Sequence, residues 1–326
     1  MEDVAIVGLP GAGKSTVFTA VSRRSTAGSF GSQAVVDVPD ERLETIARIY
    51  ASAKITHAQV RLVDVAGIDA HSLGAARAAD ALAIVLRAFG TDADPIAELQ
   101  QFRAELAVAD FATVEKVMER AARQAKSNDA QARLELETCE RAEAALSDGR
   151  WLADEDWTPE QRRVVSLWTP LTMKPAIHVI NADDPATPTD GIPSPRLVLC
   201  GLLEAEATEL AHDDAAALLA EFGIQELGAD AFIRASYEAI GLLTFFTAGE
   251  TEARAWEAKR GSKAPEAAGV IHSDFEKGFI KADRVRFPDL VEAGSEDEAR
   301  RRGLLRLEGR DYEVQEGDIL LIRHSS

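Results

Sequence analysis

The segment Gly8-Leu9-Pro10-Gly11-Ala12-Gly13-Lys14-Ser15 reads G-x-x-x-x-G-K-S and restricts the fold more than any other feature of the chain. It follows the apolar run Val4 to Val7 and opens a helical stretch from Lys14 to Val21, so strand, glycine loop and helix come in that order. In such a loop the glycines let successive backbone amides converge on phosphate oxygens, and the helix amino terminus adds a favourable dipole. Gly8, Pro10, Gly11, Ala12, Gly13, Lys14, Ser15 and Thr16 are therefore the candidate nucleotide-binding set. The Lys14 ammonium is placed to reach the outer phosphates, and the Ser15 hydroxyl to ligate Mg2+. A glycine-rich turn without nucleotide would leave Lys14, Ser15 and Thr16 unexplained.

Strand, loop and helix at the start predict an α/β domain. Val60 to Val65, Ala81 to Leu86 and Ala176 to Ile180 are further short apolar runs, and Pro195 to Leu199 is a weaker one suited to a sheet edge or a strand start. Strands alternating with helices imply parallel pairing with helices on both faces. Asp64-Val65-Ala66-Gly67 ends one of these runs, where Asp64 is placed to hold magnesium through water and the Gly67 amide to approach the terminal phosphate. Lys14 and Gly67 are the candidate catalytic groups, acting by electrostatic stabilisation, and Ser15 and Asp64 the candidate metal ligands. Asn181 and Asp184 follow another run at the edge where open α/β sheets bind ligands. Switch-type GTPases have N-K-x-D at this place; Ala182 stands where the lysine would pack over the base, while Asp184 keeps a guanine-compatible acceptor. A plain polar turn is the other reading of that segment.

From Ile96 to Trp168 the sequence is rich in Ala, Glu, Arg, Gln and Leu and has almost no strand signal. Phe111, Val114, Val117, Met118 and Ala121 form one stripe, and Ala132, Leu134, Leu136, Cys139 and Ala142 or Ala145 a second. With a break near Ser127-Asn128-Asp129, they predict an antiparallel hairpin or coiled coil, or else helices folded flat on the main sheet. Helical character returns at Leu202 to Phe222 and Ala229 to Leu243. After Gly249, repeated glycines punctuate short segments at Phe279 to Ala282, Tyr312 to Val314 and Ile319 to Ile322, which predicts a small mixed domain. The expected division is 1–95 with 169–243, 96–168, and 244–326.

Charge and composition exclude several classes. The 326 residues carry 36 Lys and Arg against 55 Asp and Glu, a net −19, which argues against a surface built wholly to grip nucleic acid. From Phe245 onward 14 basic and 17 acidic residues give −3, so −16 belongs to the first 244 and the objection bears chiefly on those. No apolar run is long enough to span a membrane, and the acidic start is unlike a secretory signal. Two cysteines, Cys139 and Cys200, supply neither a disulfide framework nor a four-thiolate zinc site. The expectation is a cytoplasmic protein with no membrane contact and no DNA specificity.

The chain resembles the YchF or Obg-like ATPase family of translation-factor-related P-loop proteins. The likeness rests on GLPGAGKST from Gly8, DVAG at 64–67, KPAIHVINADD at 174–184, YEAIGLLTFFTAG at 237–249, GVIHSDFEKGFIKA at 269–282 and RLEGRDYEVQEGDIL from Arg306, in the family's order and over nearly the whole chain. It implies a P-loop nucleotide-binding domain, a helical or coiled-coil insertion and a C-terminal β-grasp-like TGS domain. It also implies magnesium-dependent ATP binding and hydrolysis, a nucleotide-controlled switch, and a ribosome or ribosomal RNA partner. The family often has N-x-x-E where Asn181 to Asp184 stand, so retention of Asp184 keeps GTP open while loss of lysine at 182 favours ATP. Both switch segments depart from the usual pattern. Ser25 to Val38 offers Thr26 or Ser32 as a magnesium contact without a secure alignment, and Ile68 occupies the position where many GTPases orient water with glutamine. His71 is a tempting base but reads more economically as a capping or solvent-facing residue, so no general base is assigned.

For partner contacts, Lys116, Arg120, Arg123 and Lys126 punctuate the first insertion helix, interleaved with Glu115 and Glu119. The tail has its densest basic sequence at Arg254, Lys259, Arg260, Lys263, Lys277, Lys281, Arg284 and Arg286, around His272 and Phe275. Of Phe275 and Phe279, at least one is expected in the core, and Arg300-Arg301-Arg302 after Glu296-Asp297-Glu298 reads as a charged helix face. Two other accounts remain: a nucleotide-binding regulatory or scaffold protein with negligible hydrolysis, and a metabolic kinase using the same loop.

Overall fold

The computed structural model describes residues 2–22, 29–30, 32–67, 70–125, 129–224 and 227–325. Their strands, in chain order, are β1 (Asp3–Val7), β2 (Ser29–Phe30), β3 (Gln33–Asp37), β4 (Ile55–Thr56), β5 (Gln59–Asp64), β6 (Ala81–Ala88), β7 (Ala176–Ala182), β8 (Arg196–Leu199), β9 (Leu242–Ala248), β10 (Ala253–Lys259), β11 (Phe279–Arg286), β12 (Arg306–Glu308) and β13 (Asp318–His324). They form two sheets, ordered β2-β3-β5-β1-β6-β7-β8 and β12-β11-β13-β9-β10-β4.

In the first sheet β5, β1, β6, β7 and β8 run parallel. The first six residues of β6 are buried without interruption, as a strand covered on both faces requires. On one face lie the helix Lys14–Ser22, with Val17, Phe18 and Val21 inward, and the helix Gly228–Ala239, with Phe232 and Ile233 inward. On the other, Ala76, Leu99, Phe102, Leu106 and Trp151 pack against Val7, Leu82, Ile84 and Leu86. Arg196–Leu199 is an edge strand, and Pro195 precedes it where no ladder hydrogen bond is lost.

Several elements go beyond the sequence reading, and the helix predicted to run to Leu243 ends at Ala239, because Leu242 and Leu243 begin β9. β2 and β3 add an antiparallel flank to the parallel sheet. A helix over Glu41–Tyr50 starts at Asp40, whose side chain accepts from Arg42 N, and ends at Ala51 in the left-handed region at φ 51°. Its steps Leu43, Ile46 and Ala47 are buried. The predicted stretch Leu202 to Phe222 divides into two helices, Gly201–Ala207 and His212–Glu221. Tyr312 to Val314 forms no strand, only an isolated bridge between Glu313 and Lys263.

The first turns of the insertion lie on the sheet through Leu99, Phe102 and Leu106, and from Ala107 onward it is the hairpin. Helices Pro95–Ala125 and Ala130–Ser147 meet through Ala107, Val114, Cys139, Ala142, Ala145 and Leu146, and Arg120 pairs with Glu135 at 2.7 Å. Trp157, Val164, Val165 and Trp168 close the same cluster at the hairpin's base. Burial pushes the Cys139 thiol up to about 12, so it behaves as a packing residue.

The second sheet begins at Leu242, and its antiparallel core pairs β9 with β10 and β11 with β13. Two residues from far upstream, Ile55 and Thr56, extend it as β4, parallel to β10. The sheets share one apolar cluster, in which Val36, Leu43, Ile46 and Tyr237 meet Phe246, Ala253, Val285, Leu290 and Ile319. Arg42 straps the join: it binds Asp40 and, at 2.5 Å, Glu316, and lies 5.3 Å above the Phe246 ring. Phe279 is buried as expected, while Phe275 is half-buried and stacks on His324 at 4.2 Å. Among the described residues no helix is long and apolar enough to cross a membrane.

Because Phe246 is fully buried in the cluster common to both sheets, Phe246→Ala is expected to cost about 3–5 kcal/mol. Chemical denaturation followed by far-UV circular dichroism checks this. A loss below about 1 kcal/mol would mean that the two sheets are held by other contacts.

Candidate nucleotide site

Parallel register brings the predicted residues to one edge. Ile6 pairs with Asp64, Val7 with Ile84, Arg87 with Asn181, and Asn181 with Leu199, so the loop after β1 lies among the carboxyl ends of β5, β6 and β7. The loop needs its glycines. Gly8 (φ 151°) passes so near β6 that a Cβ would come 2.5 Å from the Val85 carbonyl oxygen, and a Cβ on Gly13 (φ 84°) would lie 2.1 Å from Asn181 Nδ2. Ala12 is buried, Pro10 and Gly11 are exposed, and Thr16 is half-buried in the first turn.

Lys14 folds back over the loop. Its ammonium donates to Gly8 O at 3.1 Å and Leu9 O at 3.0 Å, and only 7% of the residue is exposed. Burial pulls its pKa below the usual lysine range, with Asp64 and Glu98 opposing that shift. Ser15 Oγ donates to Asp64 Oδ2 at 3.0 Å. The second Asp64 oxygen, Oδ1, is buried with no hydrogen-bond partner. Gly67 is half-buried two residues past the buried Val65.

Asn181 is buried, and both ends of its amide are engaged: Nδ2 donates to Ala12 O at 3.1 Å, and Oδ1 accepts from Gly201 N at 3.2 Å. It thus ties β7 to the phosphate loop and to the helix that starts after β8. Asp184 is exposed and accepts from Ala186 N at 2.8 Å, while Asp183 accepts from Gly90 N at 3.1 Å and joins the loops after β6 and β7. Thr26, Ile68 and Lys126 lie outside the described residues, as does the side chain of His71. Ser32 is exposed, and its carbonyl accepts from Asp64 N at 2.8 Å.

Two neighbours of the loop are not singled out in the sequence reading. Glu98, in the first turn of Pro95–Ala125, accepts from Arg87 N at 3.0 Å, and burial raises its carboxyl pKa against the opposing pull of Arg87 and Lys14. Phe89 lies beyond β6 with its ring edge 3.5 Å from where a Gly13 Cβ would stand, and Arg87 lies over that ring. An acid in a helix's first turn is ordinary capping chemistry, so only the placement of its helix distinguishes Glu98. Phe89 was reachable as an aromatic just beyond a strand at the ligand edge.

Several of the basic residues considered for RNA are engaged within the chain. Arg254 lies 4.0 Å from the Trp256 ring, Lys263 pairs with Asp311 at 3.2 Å, and Arg284 is buried beside Glu308 and Asp318. Arg300, Arg301 and Arg302 pair with Glu296 and Glu298, which is the charged helix face expected of them.

Comparison with known proteins agrees along the whole length. The ribosome-binding ATPase YchF of Bacillus subtilis is 36% identical over 357 aligned residues, covering 98% of each chain. The chain belongs to the YchF/Obg-like ATPase family. Obg-like ATPase 1 of Oryza sativa subsp. japonica is 33% identical, covering 98% of this chain and 91% of its own. A family model described as a 50S ribosome-binding GTPase matches residues 3–126, and the YchF-GTPase C-terminal model, described as a protein of unknown function, matches 242–325. The solved structure of the Schizosaccharomyces pombe YchF GTPase superposes with a TM-score of 0.88 at 26% identity, covering 99% of this chain and 97% of that one. The fold is therefore the family's: an α/β P-loop domain, a helical insertion and a C-terminal β-sheet domain of TGS-like form.

Removing the Asn181 amide leaves Ala12 O and Gly201 N–H without their partner in a buried place. Asn181→Ala is expected to destabilise the nucleotide-free protein by about 1–3 kcal/mol. Asn181→Asp, which keeps an acceptor for Gly201 but no donor for Ala12 O, is expected to do no better than partial rescue. Denaturation midpoints of the three proteins check the order.

Proposed function

We propose that this protein binds and hydrolyses a magnesium–nucleoside triphosphate, ATP in preference to GTP, and uses the bound state to control attachment to a ribosomal partner in the cytoplasm. The observation that carries the reading is the arrangement of Lys14, Ser15 and Asp64. A buried ammonium is parked on two loop carbonyls, and beside it a hydroxyl–carboxylate pair retains one unpartnered buried oxygen. That is what a site requires when its remaining ligands are phosphate oxygens and water.

In this reading Gly8, Pro10, Gly11, Ala12, Gly13 and Thr16 form the loop and helix start that wrap the phosphates, and Lys14 exchanges its carbonyl contacts for phosphate oxygens. Ser15 would hold Mg2+ through its hydroxyl, and Asp64 would hold it through water. Such an ion supplies neutralisation of the charge that develops on the bridging phosphate oxygens. The backbone amides of Gly13 and Gly67 and the Lys14 ammonium then stabilise the transferring group, with no side chain acting as general base.

Base choice falls to Asn181, Asp184 and the walls near them. Ala182 stands where a lysine stem would pack over the base, which supports ATP, while Asp184 keeps an acceptor suited to guanine. The names of relatives divide on the point, ATPase for the bacterial and rice proteins and GTPase for the yeast one. The ribosomal partner is supported by the bacterial relative named for ribosome binding and by the family model over residues 3–126.

Affinity for ATP and GTP with magnesium, and single-turnover hydrolysis with and without ribosomes, test the reading. Lys14→Ala is expected to weaken nucleotide binding and hydrolysis by about tenfold or more each, equivalent to about 1.4 kcal/mol. Hydrolysis untouched by that substitution would remove Lys14 from the site. Tight GTP with weak ATP would reverse the base preference, and binding without turnover even beside ribosomes would favour a nucleotide-sensing scaffold.

A further inference from the structure

The helix Ala70–Ala78 starts three residues after Gly67 and carries Arg77 in its last turn. Arg77 Nη1 pairs with Asp110 Oδ1 at 2.7 Å and donates to Thr169 O at 3.0 Å, while Nη2 donates to Ala109 O at 3.1 Å and Thr113 Oγ1 at 3.3 Å. All four partners belong to the hairpin's first helix or to the segment by which the chain returns from the insertion. Asp110 is wholly buried in mid-helix, and it also accepts from Leu171 N, Thr172 N and Thr172 Oγ1 at 2.7–3.0 Å. Lys174, on the same return, donates to Ala79 O just past the helix. The helix body is clamped as well, since Ala76 and Ala79 share an apolar cluster with Leu99, Phe102, Leu106 and Trp151.

A buried ion pair gains little over apolar residues of equal size, but its partners can be satisfied in few arrangements, and breaking it strands a charge. The helix Ala70–Ala78 is therefore fixed to the hairpin's base at one end. At its other end the helix begins three positions after Gly67, and Val65 of that segment shares the apolar cluster with Ala76 and Ala79, so the Asp64–Gly67 segment and the helix are packed as neighbours.

We propose that Arg77 is a positioning residue that couples the Asp64–Gly67 segment to the helical hairpin, so that nucleotide occupancy and whatever the hairpin touches regulate each other. The inference rests on the nucleotide-binding reading above. It does not require that hydrolysis occur. Coupling of this kind is reciprocal: a partner that displaces the hairpin changes nucleotide affinity by the factor by which nucleotide changes the partner's.

Hydrogen exchange of the full-length protein tests it, read as the ratio of exchange rates in peptides from 95–125 and 130–147 with and without a saturating non-hydrolysable ATP or GTP analogue and magnesium. In the unmodified protein the ratio is expected to differ from one by about fivefold or more. In Arg77→Met the ratio returns to one, while analogue affinity stays within about fivefold of the unmodified protein. A purely structural role for Arg77 would raise exchange equally in both states and leave the ratio alone. Arg77→Lys keeps a charge for Asp110 but cannot reach Ala109 O and Thr113 Oγ1 together; it is expected to lose at least half of the response, and it decides the matter if Arg77→Met fails to fold. A hairpin that ignores bound analogue in the unmodified protein, or responds fully in both variants, overturns the coupling and leaves nucleotide binding standing. Failure of the unmodified protein to bind either analogue overturns both readings.

Discussion

The phosphate loop lies against β6 so closely that Gly8 leaves no room for a side chain: its Cβ would sit 2.5 Å from the Val85 carbonyl oxygen. Most of the site's geometry follows from that approach. With the loop pressed onto β6, Gly13 comes against Asn181, whose amide spans Ala12 O and Gly201 N and so fixes the ends of β7 and β8 relative to the loop. The same approach turns Lys14 inward, where its ammonium loses water and is left with two backbone carbonyls and the field of Asp64 and Glu98. A lysine held this way is costly to keep charged, a cost that phosphate oxygens would relieve in the function proposed above.

How much of this was legible varied with the range of the interaction involved. The G-x-x-x-x-G-K-S loop, the Asp64–Gly67 element and the five parallel strands were readable because each is written in consecutive residues with its own steric or periodic signature. The hairpin was readable from two apolar stripes and a polar break. The flank of β2 and β3 was not, since Gln33–Asp37, though as long as β1, has only Ala34, Val35 and Val36 between polar ends and pairs along the open edge of β5. Arg77 and Asp110 were unreadable for a different reason. Thirty-three positions apart, each looks like an ordinary polar helix residue, and only folding of the return segment 169–172 around the carboxylate makes the pair.

Electrostatics show a similar contrast between local composition and folded arrangement. The tail's clustered arginines and lysines suggest a basic face, yet Arg284 is buried between Glu308 and Asp318, and the arginine run at 300–302 is matched by acids one helical turn away. Charge read along the chain overstates the free positive surface. Any nucleic acid that docks here meets a surface of mixed sign, and shape contributes more to recognition than a simple phosphate grip would.

The two-residue strand β4 has a consequence for how the molecule is made. Ile55 and Thr56 pair with Ala253 and Arg254, nearly two hundred residues later, and the apolar face formed by Val36, Leu43 and Ile46 waits for Phe246, Leu290 and Ile319. During synthesis from the amino end, the early part of the chain must therefore hold an uncovered apolar patch and an unpaired strand edge until the last eighty or so residues emerge. Closure of so long a loop is slow relative to local helix formation. Over that interval the nascent chain is sticky at the surface that later becomes its most secure joint.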